Sequence, residues 1–466
     1  MRQALAKPGA TRVSGNSAAR ARSTFLHLVI LGGSLVAGIA LRPLGATPGT
    51  LAAVIFAAAA VVAMLLYPEF ALALYVVVGD VKGDERIASI LPYDLTLVLG
   101  AILLAGIALN FLRRKPAMGM PSAYLLFVPL IALMAASLFY TPVLDAGIEK
   151  LGRFLTVTGI VIVAPFAVLG TPQAMKRFLA AFAAAAFLIC AWSLGDLGGA
   201  ERLATPSNNT IGLGHIACAL ILLIWFGAIG RFSFGGRMFV YPLVAVPALA
   251  LIGSGSRGSA LACGIVILIS LLFQRGLLFD AACLGGLGFA ALPFAHIPSA
   301  SIEYLGTLIG SSNTADLLSF RGDLLEYGWK LLQQHPLLGI GIQGFRYASP
   351  NPALYNWPHN IFLEIACEMG IPAALIACAI LGGAIRESLL QLSERTSPHF
   401  ALSKLTAALL LTGIVNALNT GDVNSDRSTW LFLSLVFVAR GFRIHSRAAQ
   451  EIAAHDNVSI THPVPA

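Results

Sequence analysis

Residues Pro92 to Leu112 read PYDLTLVLGAILLAGIALNFL, with one acidic residue, Asp94, and no basic one. As a helix, about 20 apolar residues cross the roughly 30 Å of hydrocarbon in a bilayer. The apolar residues do not alternate with polar ones, as they would in a strand of a membrane barrel. The stretch therefore predicts a membrane-spanning helix, and a short basic joint, Arg113 to Lys115, follows it.

Similar apolar blocks recur along the 466 residues, which are 57% hydrophobic and 11% charged, with a mean hydropathy of +0.82. One water-soluble core cannot bury that much apolar surface. We predict an all-α polytopic membrane protein with about 12 to 14 transmembrane helices. The count depends on segment 68–79, which is either the far half of a hairpin or a re-entrant piece. The candidate spans are 25–41, 49–66, 68–79, 92–112, 121–139, 154–170, 177–195, 209–229, 238–253, 258–273, 277–295, 358–384, 401–419 and 429–439.

The basic residues indicate the orientation, because lysine and arginine concentrate in cytoplasmic loops. With 14 crossings and a cytoplasmic start, about 19 of the 30 lysines and arginines fall in cytoplasmic segments. Both termini are then cytoplasmic, and the first span is a signal anchor rather than a cleaved signal peptide. The net charge of +8 is scattered over short joints and does not form a nucleic-acid surface.

This pattern predicts five regions. They are a disordered basic cytoplasmic tail, an N-terminal transmembrane bundle, a long outside loop, a C-terminal group of transmembrane helices and a second cytoplasmic tail, at 1–24, 25–295, 296–357, 358–444 and 445–466. The six cysteines all lie in apolar blocks without a CxxC motif or a cysteine–histidine cluster, so neither a disulfide framework nor a zinc site is indicated.

The outside loop at 296–357 is about 60 residues long, and a loop of that length is usually functional or disordered. Ser319 suits the N-cap of an amphipathic helix over 320–334, lying on the membrane surface or against the bundle. The glycines Gly339, Gly341 and Gly344 then require a turn.

Two helix starts on the outer side carry cationic groups. Arg257 lies in a hairpin of about four residues, with Ser256 placed to cap the following helix. Pro358 suits the first helical position, which puts His359 and Asn360 in a first turn that favours an anion. A diphosphate fits such a pair. The alternatives are an arginine that reaches lipid phosphates and a histidine that forms interfacial hydrogen bonds beside Trp357.

Arg321 and Arg346 are two further arginines on the predicted outer side, where basic residues are uncommon. Glu364 and Glu368 lie one and two turns beyond Asn360, where a carboxylate is costly unless it faces the bundle interior. Either glutamate is expected to orient His359 or to line the path of an acceptor.

Two acidic motifs are weak metal signals. The run from Asp422 to Asp426 imitates the start of a calcium loop but has Arg427 and Leu433 where that loop needs glycine and glutamate. We interpret Asp426 and Arg427 as an outside polar rim. The pair at 84–85 is better explained as a solvated turn, so no metal site is predicted.

These motifs together resemble the O-antigen ligase and O-antigen polymerase superfamily of bacterial membrane glycosyltransferases. The resemblance is carried by RGDLLEYGW at 321–329, HPLLGIG at 335–341 and HNIFLEIACEMGIP at 359–372, together with Ser256-Arg257-Gly258 between two spans. The interval from the first of these motifs to the last, 256–372, is about 120 residues long. The spans outside it agree with the superfamily only in number and hydropathy.

The resemblance implies a helical fold of the GT-C type in the bacterial inner membrane, with a periplasmic active site. It implies metal-independent transfer of a glycan from undecaprenyl diphosphate to a glycan or lipid A-core acceptor, without a cofactor. Carried over by position, Arg257 and Arg321 bind the diphosphate, and His359 serves the reacting centre. Arg346 and Asn360 are looser matches for the diphosphate site, and the partners include membrane lipid.

The leading prediction is an O-antigen ligase, and the alternative is an O-antigen or exopolysaccharide polymerase that uses the same donor. A protein O-oligosaccharyltransferase and a lipid-linked oligosaccharide flippase are weaker alternatives. A flippase is expected to have two related halves with cations near the middle of the membrane, and this sequence has no internal repeat of that kind.

Overall fold

The protein was analysed as a computed structural model. The structure describes residues 48–83, 94–115, 117–197, 201–229, 234–273, 278–291, 298–301, 314–348, 357–419 and 421–461. The predicted tail at 1–24, the span at 25–41 and the acidic pair at 84–85 lie outside the described residues, and those predictions stay predictions.

Sixteen α-helices are named here, and the described residues contain no strand. They are α1 Pro48–Leu66, α2 Pro68–Val77, α3 Leu95–Leu112, α4 Phe127–Ala136, α5 Leu144–Arg153, α6 Gly159–Val168, α7 Pro172–Ser193, α8 Thr210–Ile224, α9 Phe234–Ser254, α10 Arg257–Phe273, α11 Leu278–Ala291, α12 Thr314–Gln334, α13 Gly344–Ala348, α14 Ile361–Ser393, α15 Phe400–Asn419 and α16 Arg427–Thr461. Short 3₁₀ turns flank α4, and π turns join α5 to α6 and extend α8.

The all-α polytopic class is confirmed. Among the described residues, eight helical segments are long and apolar enough to cross a membrane. They are Leu95–Leu112, Ser122–Phe139, Leu144–Val168, Pro172–Asp196, Thr210–Gly227, Gly236–Ser254, Ile361–Ser393 and Phe400–Asn419. The helices α1 and α2 make a ninth span if they are one broken segment, and α10 is a shorter apolar helix. The count of 12 to 14 stays a prediction.

The break between α1 and α2 bends the chain by 110° at Pro68. Proline has no backbone N–H and its ring clashes with the preceding turn, so a helix cannot continue through it unbent. The bend agrees with the expectation that segment 68–79 is the far half of a hairpin or a re-entrant piece. It places the end of α2 and the following turn beside the site described below.

A second break lies in α14, where Gly370 has a φ of 82° and Pro372 follows. The break frees carbonyl groups of the preceding turn, and the glycine-rich loop after α12 uses them. Ile340 N donates to Cys367 O and Gly341 N to Glu368 O, both at 2.9 Å. The glycines Gly339 and Gly341 have φ of +68° and +90°, so the predicted turn is confirmed.

The helix predicted over 320–334 is present as α12 and begins six residues earlier, at Thr314, so Ser319 is not its N-cap. Its inner face includes the buried Leu324 and Leu331. Gly328 packs against α14, where Cys367 Sγ donates a hydrogen bond to Gly328 O at 3.0 Å. The helix therefore lies against the bundle, as predicted.

Candidate functional site

Two neighbouring cavities lie where the starts of α3, α8, α14 and α16 meet. The larger cavity has a volume of about 790 Å³ and the smaller about 420 Å³. Both are lined by the same four residues at their junction, Gly79, Trp357, Ser425 and Arg427. The loop segments that line them are ones that the charge pattern predicts on the outer face.

The larger cavity is rich in charge of both signs. Its five basic side chains outnumber its four carboxylates. The basic residues are Lys82, Lys150, Arg153, Arg346 and Arg427, and the acidic ones are Asp94, Glu149, Glu364 and Asp422. Several of these charges are paired, as Lys82 is with Asp94 at 3.2 Å and Arg153 with Glu149 at 2.7 Å. Arg346 is exposed, and its guanidinium lies 5.9 Å from the Tyr347 ring centre.

The smaller cavity is more apolar and contains two histidines, His215 and His359. Its carboxylates are Asp80 and Asp426, and Arg427 is its basic side chain. Burial raises the pKa of Asp426, and His215 opposes that rise. The cavity therefore combines imidazoles, carboxylates and one guanidinium.

His359 lies in a turn before α14 and has a φ of 54°. Its ring centre is 5.8 Å from that of Trp357. The prediction that Pro358 begins the helix is wrong, because α14 begins at Ile361 and Asn360 is its N-cap. Asn360 Oδ1 accepts a hydrogen bond from Leu363 N at 3.0 Å, and an asparagine cap competes well with a proline start.

Asn360 also donates from Nδ2 to Leu418 O at 3.3 Å. Its amide therefore joins the start of α14 to the end of α15, and it lines neither cavity. His359 is the residue directly before this cap. The predicted role of Asn360 in diphosphate binding stays a prediction.

Glu364 and Glu368 face the interior, as expected, and both pair with a lysine that the sequence reasoning missed. Lys150 Nζ lies 2.5 Å from Glu364 Oε1 and 2.7 Å from Glu368 Oε2, with all three side chains buried. Glu364 also accepts a hydrogen bond from Val423 N at 3.0 Å. The cluster ties α5, α14 and the loop before α16 together, and Glu364 lines the larger cavity.

Arg257 is the first residue of α10 and is 9% exposed. Ser256 directly precedes this helix, and its hydroxyl lies 3.0 Å from that of Ser259. The predicted cap by the Ser256 side chain stays a prediction. The start of α10 approaches α8 closely, because a Cβ on Gly214 would lie 2.5 Å from Ser256 Cβ. Arg257 lines neither cavity, although this contact is one residue from His215.

The structure thus separates the predicted residues. Arg346 and Glu364 line the larger cavity, His359 lines the smaller one, and Glu368 reaches the site through Lys150. Arg321 lies in α12, and its side chain is outside the described residues. The convergence of Arg257, Arg321 and His359 on one diphosphate stays a prediction.

The acidic loop after α15 uses its carboxylates internally. Asp422 Oδ1 accepts hydrogen bonds from Asn424 N and Ser425 N at 2.7 and 3.0 Å. Asp426 accepts from the Thr429 hydroxyl at 2.7 Å at the start of α16. Arg427 lies between the cavities, so the interpretation of Arg427 as part of an outside rim is wrong.

Residues 242–378 match the protein-family model described as O-antigen ligase. This interval contains every site residue predicted from the sequence, from Arg257 to Glu368. The match supports the O-antigen ligase and polymerase superfamily, and with it a membrane glycosyltransferase-like enzyme that acts on lipid-linked glycans. No curated protein matches the chain.

Most of the residues that line the two cavities lie outside the O-antigen ligase match, and Lys150, His215 and Arg427 are among them. Glu364 and Glu368, the partners of Lys150, lie more than 200 residues later in the sequence, so no local pattern joins them to it. His215 is a single polar residue within an apolar span. That feature is the one sequence signal that could have identified it, because ionisable residues inside membrane helices are uncommon.

Proposed function

We propose that this chain is an O-antigen ligase-type glycosyltransferase. It moves a glycan from undecaprenyl diphosphate to a lipid A-core acceptor at the periplasmic face of the inner membrane, with both termini cytoplasmic. One observation carries the proposal: a cavity rich in basic side chains adjoins the cavity that holds His359, in a chain that matches the O-antigen ligase model.

The reaction explains why cations and an imidazole are needed together. The acceptor hydroxyl oxygen attacks the anomeric carbon, the bond from that carbon to the diphosphate breaks, and its electron pair leaves with the diphosphate. Fixed cations near that group stabilise the transition state more than the ground state. The hydroxyl proton needs a base, and His359 is suited because an imidazole titrates near neutral pH.

Within this proposal Arg257 and Arg321 bind the donor diphosphate, and Arg346 supports it from the larger cavity. No nucleotide is needed, because the lipid diphosphate is the leaving group, and we propose that no metal ion is needed either. Glu364 holds the wall of the larger cavity in shape through Lys150.

Single replacements test the site. We expect His359→Ala, Arg257→Ala and Arg321→Ala each to lower glycan transfer by about 100-fold or more. Membrane insertion should stay normal. His445→Ala and Arg395→Ala are matched controls, since both residues are exposed and lie outside the site. Near-normal transfer by all three site variants would contradict the assignment.

A deletion strain tests the acceptor. Lipid A-core without O-chain, beside accumulated long lipid-linked polymer, is expected for a ligase. Core capped with a single repeat would instead identify a polymerase, and the ligase proposal would fail while the shared donor chemistry remained.

A further inference from the structure

Arg427 has an unusual position among the arginines of the structure. It is the first residue of α16 and lines both cavities at their junction. Its guanidinium lies against Gly79, where an added Cβ would be 3.5 Å from Nη1 and 4.0 Å from Nη2. A group bound in either cavity therefore meets the same side chain.

Two of the three guanidinium nitrogens of Arg427, Nε and Nη1, are buried without a hydrogen bond within the described part of the chain. Asp80 and Asp94 attract the guanidinium and Arg153 repels it, but no ion pair forms among the described residues. By contrast, Arg237 contacts both oxygens of Asp280 at 3.0 and 2.7 Å.

Buried donors without acceptors destabilise a protein, so their presence needs a reason. For a cation beside a substrate cavity, the reason can be that the bound substrate supplies the missing acceptors. The planar guanidinium matches phosphate oxygens two at a time, which an ammonium group cannot do. The missing partner of Arg427 is then an anion with several oxygens.

We infer that Arg427 binds the diphosphate of the lipid-linked donor at the junction of the two cavities. This inference rests on the proposed function and adds a binding residue outside the stretch that matches the O-antigen ligase model. A diphosphate held there has His359 in the smaller cavity on one side and Arg346 in the larger cavity on the other. The reacting end of the donor then lies where both cavities can reach it.

The test measures binding of undecaprenyl diphosphate to the purified full-length chain in detergent, together with transfer kinetics. Arg427→Gln removes the charge, and Arg427→Lys keeps it without the fork of donors. Arg447→Gln is the matched control, because it removes another arginine of α16 that is paired with Glu394 at 2.8 Å and lines neither cavity.

We expect Arg427→Gln to weaken diphosphate binding at least about tenfold and Arg427→Lys to weaken it less. KM for the donor should rise, and the melting temperature of the ligand-free protein should not fall, because an unsatisfied buried cation is removed. The Arg447→Gln control should stay within about threefold of the wild type in binding and transfer.

Three results would overturn the inference. They are binding by Arg427→Gln within threefold of the wild type, an equal loss in Arg447→Gln, and a lower melting temperature of the ligand-free Arg427→Gln and Arg427→Lys proteins. The last result would make Arg427 a structural counter-ion of Asp80 and Asp94. If the wild type itself neither binds undecaprenyl diphosphate nor transfers glycan, the proposed function fails instead.

Discussion

At the scale of single residues, the buried lysine between two glutamates is the strongest polar cluster of the site. Lys150 contacts Glu364 and Glu368 within 2.7 Å, and none of the three side chains is more than 8% exposed. Such an arrangement contributes little net stability compared with apolar packing, but breaking it leaves charges buried. The cluster therefore holds the wall of the larger cavity in one arrangement.

Replacing Lys150 with methionine should leave the carboxylates of Glu364 and Glu368 buried without a counter-ion. We expect the free energy of unfolding to fall by about 3–5 kcal/mol, because an uncompensated buried charge remains. The triple variant Lys150→Met, Glu364→Gln, Glu368→Gln should recover much of that loss. Thermal unfolding in detergent measures both, and a Lys150→Met protein as stable as the wild type would contradict the cluster's role.

The asparagine cap of α14 gives a second prediction at this scale. Asn360→Ala removes the acceptor of Leu363 N and the donor to Leu418 O. We expect a loss of about 1 kcal/mol in stability, since that is the usual cost of losing a cap. Transfer should fall more than stability does, because His359 is the neighbouring residue. Asn360→Asp keeps the acceptor of Leu363 N but cannot donate to Leu418 O, so it should recover only part of the stability. If Asn360→Asp is less stable than Asn360→Ala, the bond to Leu418 O matters more than the cap.

At the scale of helices, two glycines decide how elements meet around the site. Gly214 on α8 lets the Ser256 hairpin approach, and Gly370 forms the break in α14 on which the glycine-rich loop docks. Close contacts through small residues are typical of packing between membrane helices. We therefore expect an added methyl group at either position to displace neighbouring parts of the site.

Gly214→Ala should displace the start of α10 and with it Arg257. The added Cβ would lie 2.5 Å from Ser256 Cβ, and overpacking of this kind costs about 1–3 kcal/mol. Gly264→Ala on α10 is the control, since nothing lies within 4 Å of its added Cβ. We expect the first variant to lose stability and transfer and the second to keep both. Equal stability and equal transfer of the two variants would contradict the role given to Gly214.

Gly370→Ala should be more damaging, because both its φ of 82° and the space around it exclude a side chain. An added Cβ would lie 2.1 Å from Leu337 O. The strained backbone alone costs about 1–3 kcal/mol. Gly382→Ala, on the same helix and with nothing within 4 Å, is the comparison in a melting experiment. If the Gly370→Ala and Gly382→Ala proteins have the same melting temperature, the break in α14 is dispensable for stability.

At the scale of the whole molecule, hydropathy determines most of the architecture. The segment predicted as 92–112 is α3, Leu95–Leu112, and it starts at the cap Asp94. The start of α14 is predicted a few residues too early, at Pro358 instead of Ile361. Both Pro358 and Asn360 are typical of a helix start, and only the fold shows that Asn360 is the cap.

The site was predicted less completely, since its contacts are long-range. Glu364 could be expected to face the interior, but its partner Lys150 is 214 residues away and carries no local signal. Arg427 looked like a rim residue because its neighbours are polar and in a turn. The bend at Pro68 and the start of α16 bring it between two cavities, and periodicity cannot predict that placement.

A cryo-EM structure of the full chain in nanodiscs with undecaprenyl diphosphate tests the central claim most directly. We predict diphosphate density within hydrogen-bonding distance of Arg427, with the terminal phosphate, which carries the glycan in the donor, facing the cavity that holds His359. Density at the other end of the bundle, or at a surface that touches neither cavity, would contradict the account.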